Sequence, residues 1–143
     1  MKNLLSVVLI ALAMVLGAQS LAYAAQCPIR GSNYTYSTYE SYGRITIRQE
    51  FIIENISDSE IFLSVDDFVM RKSGFNTVKP SHAGGGFSKS VKNPLYIESY
   101  YSLYPGDVIA VSLDYRTDDS TANGWQLCFN KYGSIVVLAS INE

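Results

Sequence analysis

The sequence predicts an all-β protein, folded as an antiparallel sandwich or barrel. Period-two alternation runs through "RITIRQEFIIEN". There Ile45, Ile47, Gln49, Phe51 and Ile53 share one face, and Thr46, Arg48, Glu50, Ile52 and Glu54 share the other. Short extended runs recur along the chain, separated by polar or Pro-Gly turn signals. The best helix candidate, residues 92–103, is crowded with Tyr and Ile and carries Pro94 near its start.

The first 24 residues read as a secretory leader. Lys2 precedes an apolar run from Leu4 to Leu16, and the segment closes on the small-x-small sequence Ala22-Tyr23-Ala24. The run is shorter than the roughly 20 residues that span a bilayer. Gln26 ahead of Cys27 is not the small residue a lipid-anchor site requires. The expected product is a single domain over residues 25–143, secreted or periplasmic, with no membrane span. It carries ten basic and thirteen acidic side chains. A weakly negative chain without a basic cluster argues against nucleic acid as a partner.

The elements follow in order. After the strand at 44–55, "NISDSE" (55–60) is a polar turn and "IFLSVDDFVMRKS" resumes extended character until Gly74. "FNTVKP" reads as a short strand ended by Pro80, and "SHAGGGFSKS" (81–90) as a mobile, glycine-rich connector. "LYIESYYSLYPGD" ends in a turn at Pro105-Gly106. "VIAVSLDYRT" (108–117) alternates again, with Ile109, Val111 and Tyr115 set against Val108, Ala110 and Leu113. "DDSTANG" (118–124) has the composition of a hairpin loop, and "WQLCFN", "KYG" and "SIVVLASI" form a final hairpin.

Export places Cys27 and Cys128 in an oxidising compartment, where two thiols usually become one disulfide. Closing a loop of about 100 residues contributes up to about 4–5 kcal/mol in the chain-entropy model. The alternative, a catalytic thiol, would depend on His82, the only histidine.

The stretch "ENISDSEIFLSVDDFVMRKSG" resembles a bacterial family of exported immunoglobulin-like domains, typified by a secreted mycobacterial antigen and a related lipoprotein-associated domain of unknown function. Asn55, Ser57, Asp67, Phe68 and Gly74 carry the likeness, and "LYPGDVIAVSLDY" extends it through Leu103, Pro105 and Gly106. It covers roughly residues 44–141. The resemblance implies an immunoglobulin-like β-sandwich that is exported and non-catalytic. The cysteine placement departs from antibody-type domains, and Gln126 stands where those carry a tyrosine two residues before the second Cys.

No catalytic constellation is legible. A serine hydrolase needs a nucleophile, a base and an oxyanion site, yet His82 is the only histidine base and no G-x-S-x-G is present. Asp66 and Asp67 are adjacent on an extended run, so they point apart and cannot easily share a proton. "DDSTANG" is faintly similar to a calcium loop through Asp119, Thr121, Asn123 and Gly124. However, Thr121 is the wrong type and Asn130 stands where the closing Glu belongs. "GGG" lacks the Lys-Ser/Thr of a phosphate loop. No metal and no cofactor are expected.

The positive signal is tyrosine. One cluster, Tyr34, Tyr36, Tyr39 and Tyr42, precedes the first alternating strand; a second holds Tyr96, Tyr100, Tyr101 and Tyr104. Tyrosine offers a rigid apolar ring with a polar tip, which suits both recognition surfaces and half-buried sheet positions. Tyr34, Tyr36, Tyr39, Tyr96, Tyr100, Tyr101 and Tyr104 are therefore candidate contacts for a protein or cell-surface ligand. Trp125 is expected in the core. The alternative function is a glycan-binding subunit of toxin-like oligomers, whose Cys-bearing and closing strands residues 125–142 loosely resemble.

Overall fold

The computed structural model describes residues 27–89 and 98–143. The leader expected over residues 1–24 lies outside the described residues, as does Tyr96. Nine strands are present among the described residues: β1 (Ile29–Ser41), β2 (Arg44–Asn55), β3 (Ile61–Ser64), β4 (Phe68–Arg71), β5 (Ser81–Ser88), β6 (Tyr100–Leu103), β7 (Val108–Arg116), β8 (Gln126–Lys131) and β9 (Ser134–Ser140). They form a four-stranded sheet in the order β1-β2-β7-β5, a three-stranded sheet β4-β8-β9 and a two-stranded pair β3-β6. Every ladder is antiparallel, so the all-β antiparallel expectation is met.

The interior is built from the alternating faces. From β2 come Ile45, Ile47, Phe51 and Ile53, the face read from the sequence, and Gln49 on the same face is buried as well. From β7 come Ile109, Val111, Leu113 and Tyr115. Leu113 therefore belongs with the buried set rather than opposite it. Phe68 and Met70 of β4 and Leu127 and Phe129 of β8 meet them from the three-stranded sheet, with Phe51 and Phe68 ring centroids 5.5 Å apart. Burying one such side chain contributes about 1.5–3 kcal/mol. Trp125 is fully buried, as expected.

Two hairpins close with Tyr-Gly. Tyr42-Gly43 joins β1 to β2 and Tyr132-Gly133 joins β8 to β9, all four residues having positive φ (53°, 75°, 59° and 78°). That is the type I′ pattern, whose twist matches paired strands.

Four expectations are corrected. The segment read as a glycine-rich connector is strand β5. A Cβ on Gly85 would lie 2.0 Å from the Ser112 carbonyl oxygen, so the residue is small because β7 approaches too closely for a side chain. The alternating run 61–71 is split by a 3-10 turn at Val65–Asp67. Ser64 Oγ accepts from Asp66 N and Asp67 Oδ2 accepts from Ser64 N, a reciprocal cap that ends β3 and redirects the chain into β4. Within the helix candidate 92–103, the described part is strand β6. Residues 118–124 are no hairpin loop, because β7 and β8 lie in different sheets and the loop crosses between them.

The expected disulfide is also absent: Cys27 and Cys128 are both free thiols. Cys27 precedes β1 and packs against the interior cluster, donating to the Ile29 carbonyl at 3.4 Å. Cys128 lies between Val69 and Val137 in its sheet, and the residues on either side, Leu127 and Phe129, enter the interior. Alternation therefore turns Cys128 toward the other face of the β4-β8-β9 sheet, away from the side on which Cys27 packs. Burial pushes the Cys128 thiol pKa up, against a smaller lowering by Arg71.

Candidate functional site

The second tyrosine cluster forms a surface on the β3-β6 pair. Ile61, Leu63 and Leu103 point inward and are fully buried, anchoring the pair to the core. The alternate positions face out. In the register, Phe62 lies opposite Ser102 and Ser64 opposite Tyr100, so Phe62 and Tyr100 are diagonal neighbours. Their rings lie 5.9 Å apart and within 11° of parallel, and both are more than half exposed, at 58% and 55%. Diagonal pairs on a sheet are within reach of aromatic side chains.

The turn after β6 completes the surface. Asp107 N donates to the Tyr104 carbonyl at 3.0 Å, and Tyr104 N donates to Asp107 Oδ2 at 3.0 Å. Pro105 and Gly106, with φ of 81° at the glycine, occupy the two central positions, where a type II turn favours Pro and requires a positive φ. Tyr104 and Asp107 are thereby fixed beside the aromatic pair. On the other side, Glu98 is tied by two backbone hydrogen bonds to Phe87 of β5, and Lys89 Nζ lies 5.9 Å from the Tyr101 ring centre. These residues, with Ser102, line a shallow cleft of about 330 Å³. Its formal charge is −1, from two carboxylates and one ammonium.

The first cluster lies elsewhere. Tyr34, Tyr36 and Tyr39 sit on β1, an outer strand of the four-stranded sheet, and Tyr42 lies in the turn that follows it. Glu98, just ahead of β6, is bridged to Phe87 of β5 at the opposite edge, with β2 and β7 between. The described tyrosines of the two clusters do not share a surface. Tyr34 stacks on Phe51 at 5.6 Å, and burial followed by the nearby Cys27 raises its phenol pKa. Tyr36 donates to Glu143 at 3.3 Å, and Tyr39 donates to Asp114, which Arg48 grips through two nitrogens at 2.7 and 3.0 Å. Tyr101, half buried, packs on Phe87 at 6.5 Å. Tyr34 and Tyr101 are thus packing residues, whereas Tyr100 and Tyr104 present free ring surface. Sequence reasoning missed Phe62. Its signal was an apolar residue at the outward phase of β3, between the inward Ile61 and Leu63.

The faint calcium loop is a structural hub. Asp119 Oδ2 accepts from Lys72 Nζ at 2.6 Å and from Trp125 Nε1 at 3.1 Å, while Oδ1 accepts from Thr121 N at 3.2 Å. Thr121 Oγ1 accepts from Asn123 N, and Asn123 Oδ1 accepts from Glu143 N. The oxygens a cation would use are engaged within the protein. His82 meets Asp66 at 2.9 Å in an exposed pair, and Asp67 is paired with Lys131 at 3.0 Å. Among the described residues no three His, Cys, Asp or Glu side chains gather around a common point. No helix among them is long and apolar enough to cross a membrane.

No family model, curated protein or solved structure matches the chain.

Proposed function

We propose that the protein is an exported, non-catalytic immunoglobulin-like module that binds a protein or surface partner through the aromatic face of β3-β6. The observation that carries this reading is the exposure of Phe62 and Tyr100 on the strand pair and of Tyr104 in the turn that follows, each more than half open to solvent, above the buried Ile61, Leu63 and Leu103. Apolar rings held outward on a rigid support are the arrangement recognition surfaces use.

The immunoglobulin-like part of the reading is supported by strand order. A four-stranded sheet β1-β2-β7-β5 facing β4-β8-β9 corresponds to the four-plus-three arrangement of constant-type domains, with β3-β6 added. Export is supported by the leader-like sequence of residues 1–24. The non-catalytic part is supported by the sequence, which offers a single histidine and no nucleophile motif.

The test is a binding isotherm. Labelled protein, purified after export, is titrated onto native cell envelopes. Saturable binding that is lost in Phe62→Ala/Tyr100→Ala, at an unchanged melting temperature, supports the reading. Binding that is absent, or indifferent to the double substitution, overturns it. Light scattering of the same preparation tests the toxin-like alternative, which requires a ring oligomer where a lone module requires a monomer.

A further inference from the structure

We propose that the β3-β6 cleft is a saccharide subsite, taking a neutral, gluco-configured pyranose against the faces of Phe62 and Tyr100. This rests on the binding reading above and names its ligand class.

The first argument is shape. Phe62 and Tyr100 are stacked within 11° of parallel, so each turns one face toward the other and the exposed outer face serves as the platform, rather than the wall of a box. A β-linked glucopyranose carries its substituents equatorially, leaving axial C–H groups on both ring faces. Those weakly positive hydrogens suit the negative face of an aromatic ring. The platform is also preorganised. Ile61, Leu63 and Leu103 fix the strands from beneath, so little ordering remains to be done on binding.

The second argument is the rim. A sugar hydroxyl both donates and accepts, and it needs partners of both kinds. Glu98 and Asp107 supply carboxylate acceptors, Lys89 an ammonium donor, and Ser102 a hydroxyl that serves either way. A volume of about 330 Å³ is at the lower end for a small-ligand site.

The third argument is exclusion. Two carboxylates against one ammonium disfavour phosphate or sulfate ligands. A quaternary ammonium ligand needs aromatic walls inclined around it. Here the exposed rings are parallel, and Lys89 already lies over the Tyr101 ring.

The test is isothermal titration calorimetry on protein purified after export, with cellotetraose and chitotetraose as probes and choline chloride as the competing chemistry. At least one tetrasaccharide should bind saturably. Its affinity should fall at least tenfold in both Phe62→Ala and Tyr100→Ala, whose melting temperatures stay unchanged, and persist in Tyr36→Ala on the remote cluster. No saturable heat with either sugar at millimolar concentration, binding indifferent to both cleft substitutions, or displacement by choline would overturn the proposal. If neither sugar binds while envelope binding still depends on Tyr100, the saccharide inference falls and the binding module stands. If envelope binding also fails, both fall.

Discussion

Replacing Asp119 with Asn removes one charge from a buried carboxylate that ties three segments together. Asp119 is 7% exposed and takes hydrogen bonds from the Lys72 ammonium, the Trp125 indole and the Thr121 amide. A hydrogen bond to a charged group contributes about 1.5–3 kcal/mol net. Asparagine retains one acceptor oxygen but turns an N–H donor toward Lys72 or Trp125. The expected loss is about 2–3 kcal/mol. Asp119→Ala, which strands the Lys72 ammonium and the buried indole N–H together, should lose about 3–5 kcal/mol. Urea denaturation followed by Trp125 fluorescence measures both. The pH dependence gives an independent check. Burial alone would raise the Asp119 pKa, but Lys72, Thr121 and Trp125 outweigh it and the carboxyl lies below its usual range. A depressed acid stabilises the fold fully above its unfolded value, near pH 4, and loses that stabilisation as pH falls through the folded value. The gap between wild type and Asp119→Asn should therefore be constant above about pH 4 and narrow below it. A loss under about 0.5 kcal/mol, or a gap that widens on acidification, would refute the hub reasoning.

Gly85→Ala should destabilise by about 1–3 kcal/mol. The added Cβ would meet the backbone of Ser112, which cannot swing aside, and hydrogen exchange should accelerate first in β5. Unreduced protein should yield two alkylatable thiols, Cys27 reacting ahead of the buried Cys128 in the native state and both reacting after denaturation; a mass two hydrogens short, resistant to alkylation, would contradict the free-thiol structure. Tyr115→Phe removes the buried hydroxyl that donates to the Phe68 carbonyl at 2.9 Å and should cost about 1–2 kcal/mol in chemical denaturation. Desolvation, then Cys128, holds the Tyr115 phenol well above its usual pKa. Its contribution is complete below the unfolded value near pH 10 and is lost as pH rises toward the folded one. Ultraviolet titration should find this tyrosine silent until alkaline unfolding.

The parts of the fold that were legible in the sequence are those where local chemistry and long-range packing agree. Strand β2 alternates cleanly, and its buried face was readable residue by residue, Gln49 included, although that side chain reaches Met70 Sδ only at 3.7 Å. Strand β5 was illegible because glycine carries no periodic signal. Its smallness answers to Ser112 on another strand, 27 positions along the chain. Leu113 was set on the wrong face although strict alternation from Ile109 and Val111 already places it with them, Ser112 and Asp114 standing at the other phase. The disulfide was argued from compartment alone. Two cysteines can be bridged only if their Cβ vectors converge, and alternation in β8 turns Cys128 away from Cys27. The tyrosine clusters were legible as composition, but only the strand order could separate them.

The residues that carry the sequence resemblance are turn and anchor positions of this fold. Asn55 Nδ2 donates to the carbonyls of Ser59 and Leu103, each at 2.8 Å, and its Oδ1 accepts from Ser57 N and Oγ. One buried amide thus joins the end of β2, the turn into β3 and the exit of β6. Gly106 N then donates to the Asn55 carbonyl at 2.9 Å, docking the Pro105-Gly106 turn on the same point. Asn55, Ser57, Leu103, Pro105 and Gly106 all carry the likeness, and together they fix the two strands on which Phe62 and Tyr100 stand. Phe62, Tyr100 and Tyr104 are not among the matched positions. The turn and anchor residues are distinct from the outward side chains, because alternation in β3 and β6 separates the anchoring face from the presenting face. The frame of the cleft is therefore encoded where the resemblance lies. The outward side chains Phe62 and Tyr100 stand one residue out of phase with it.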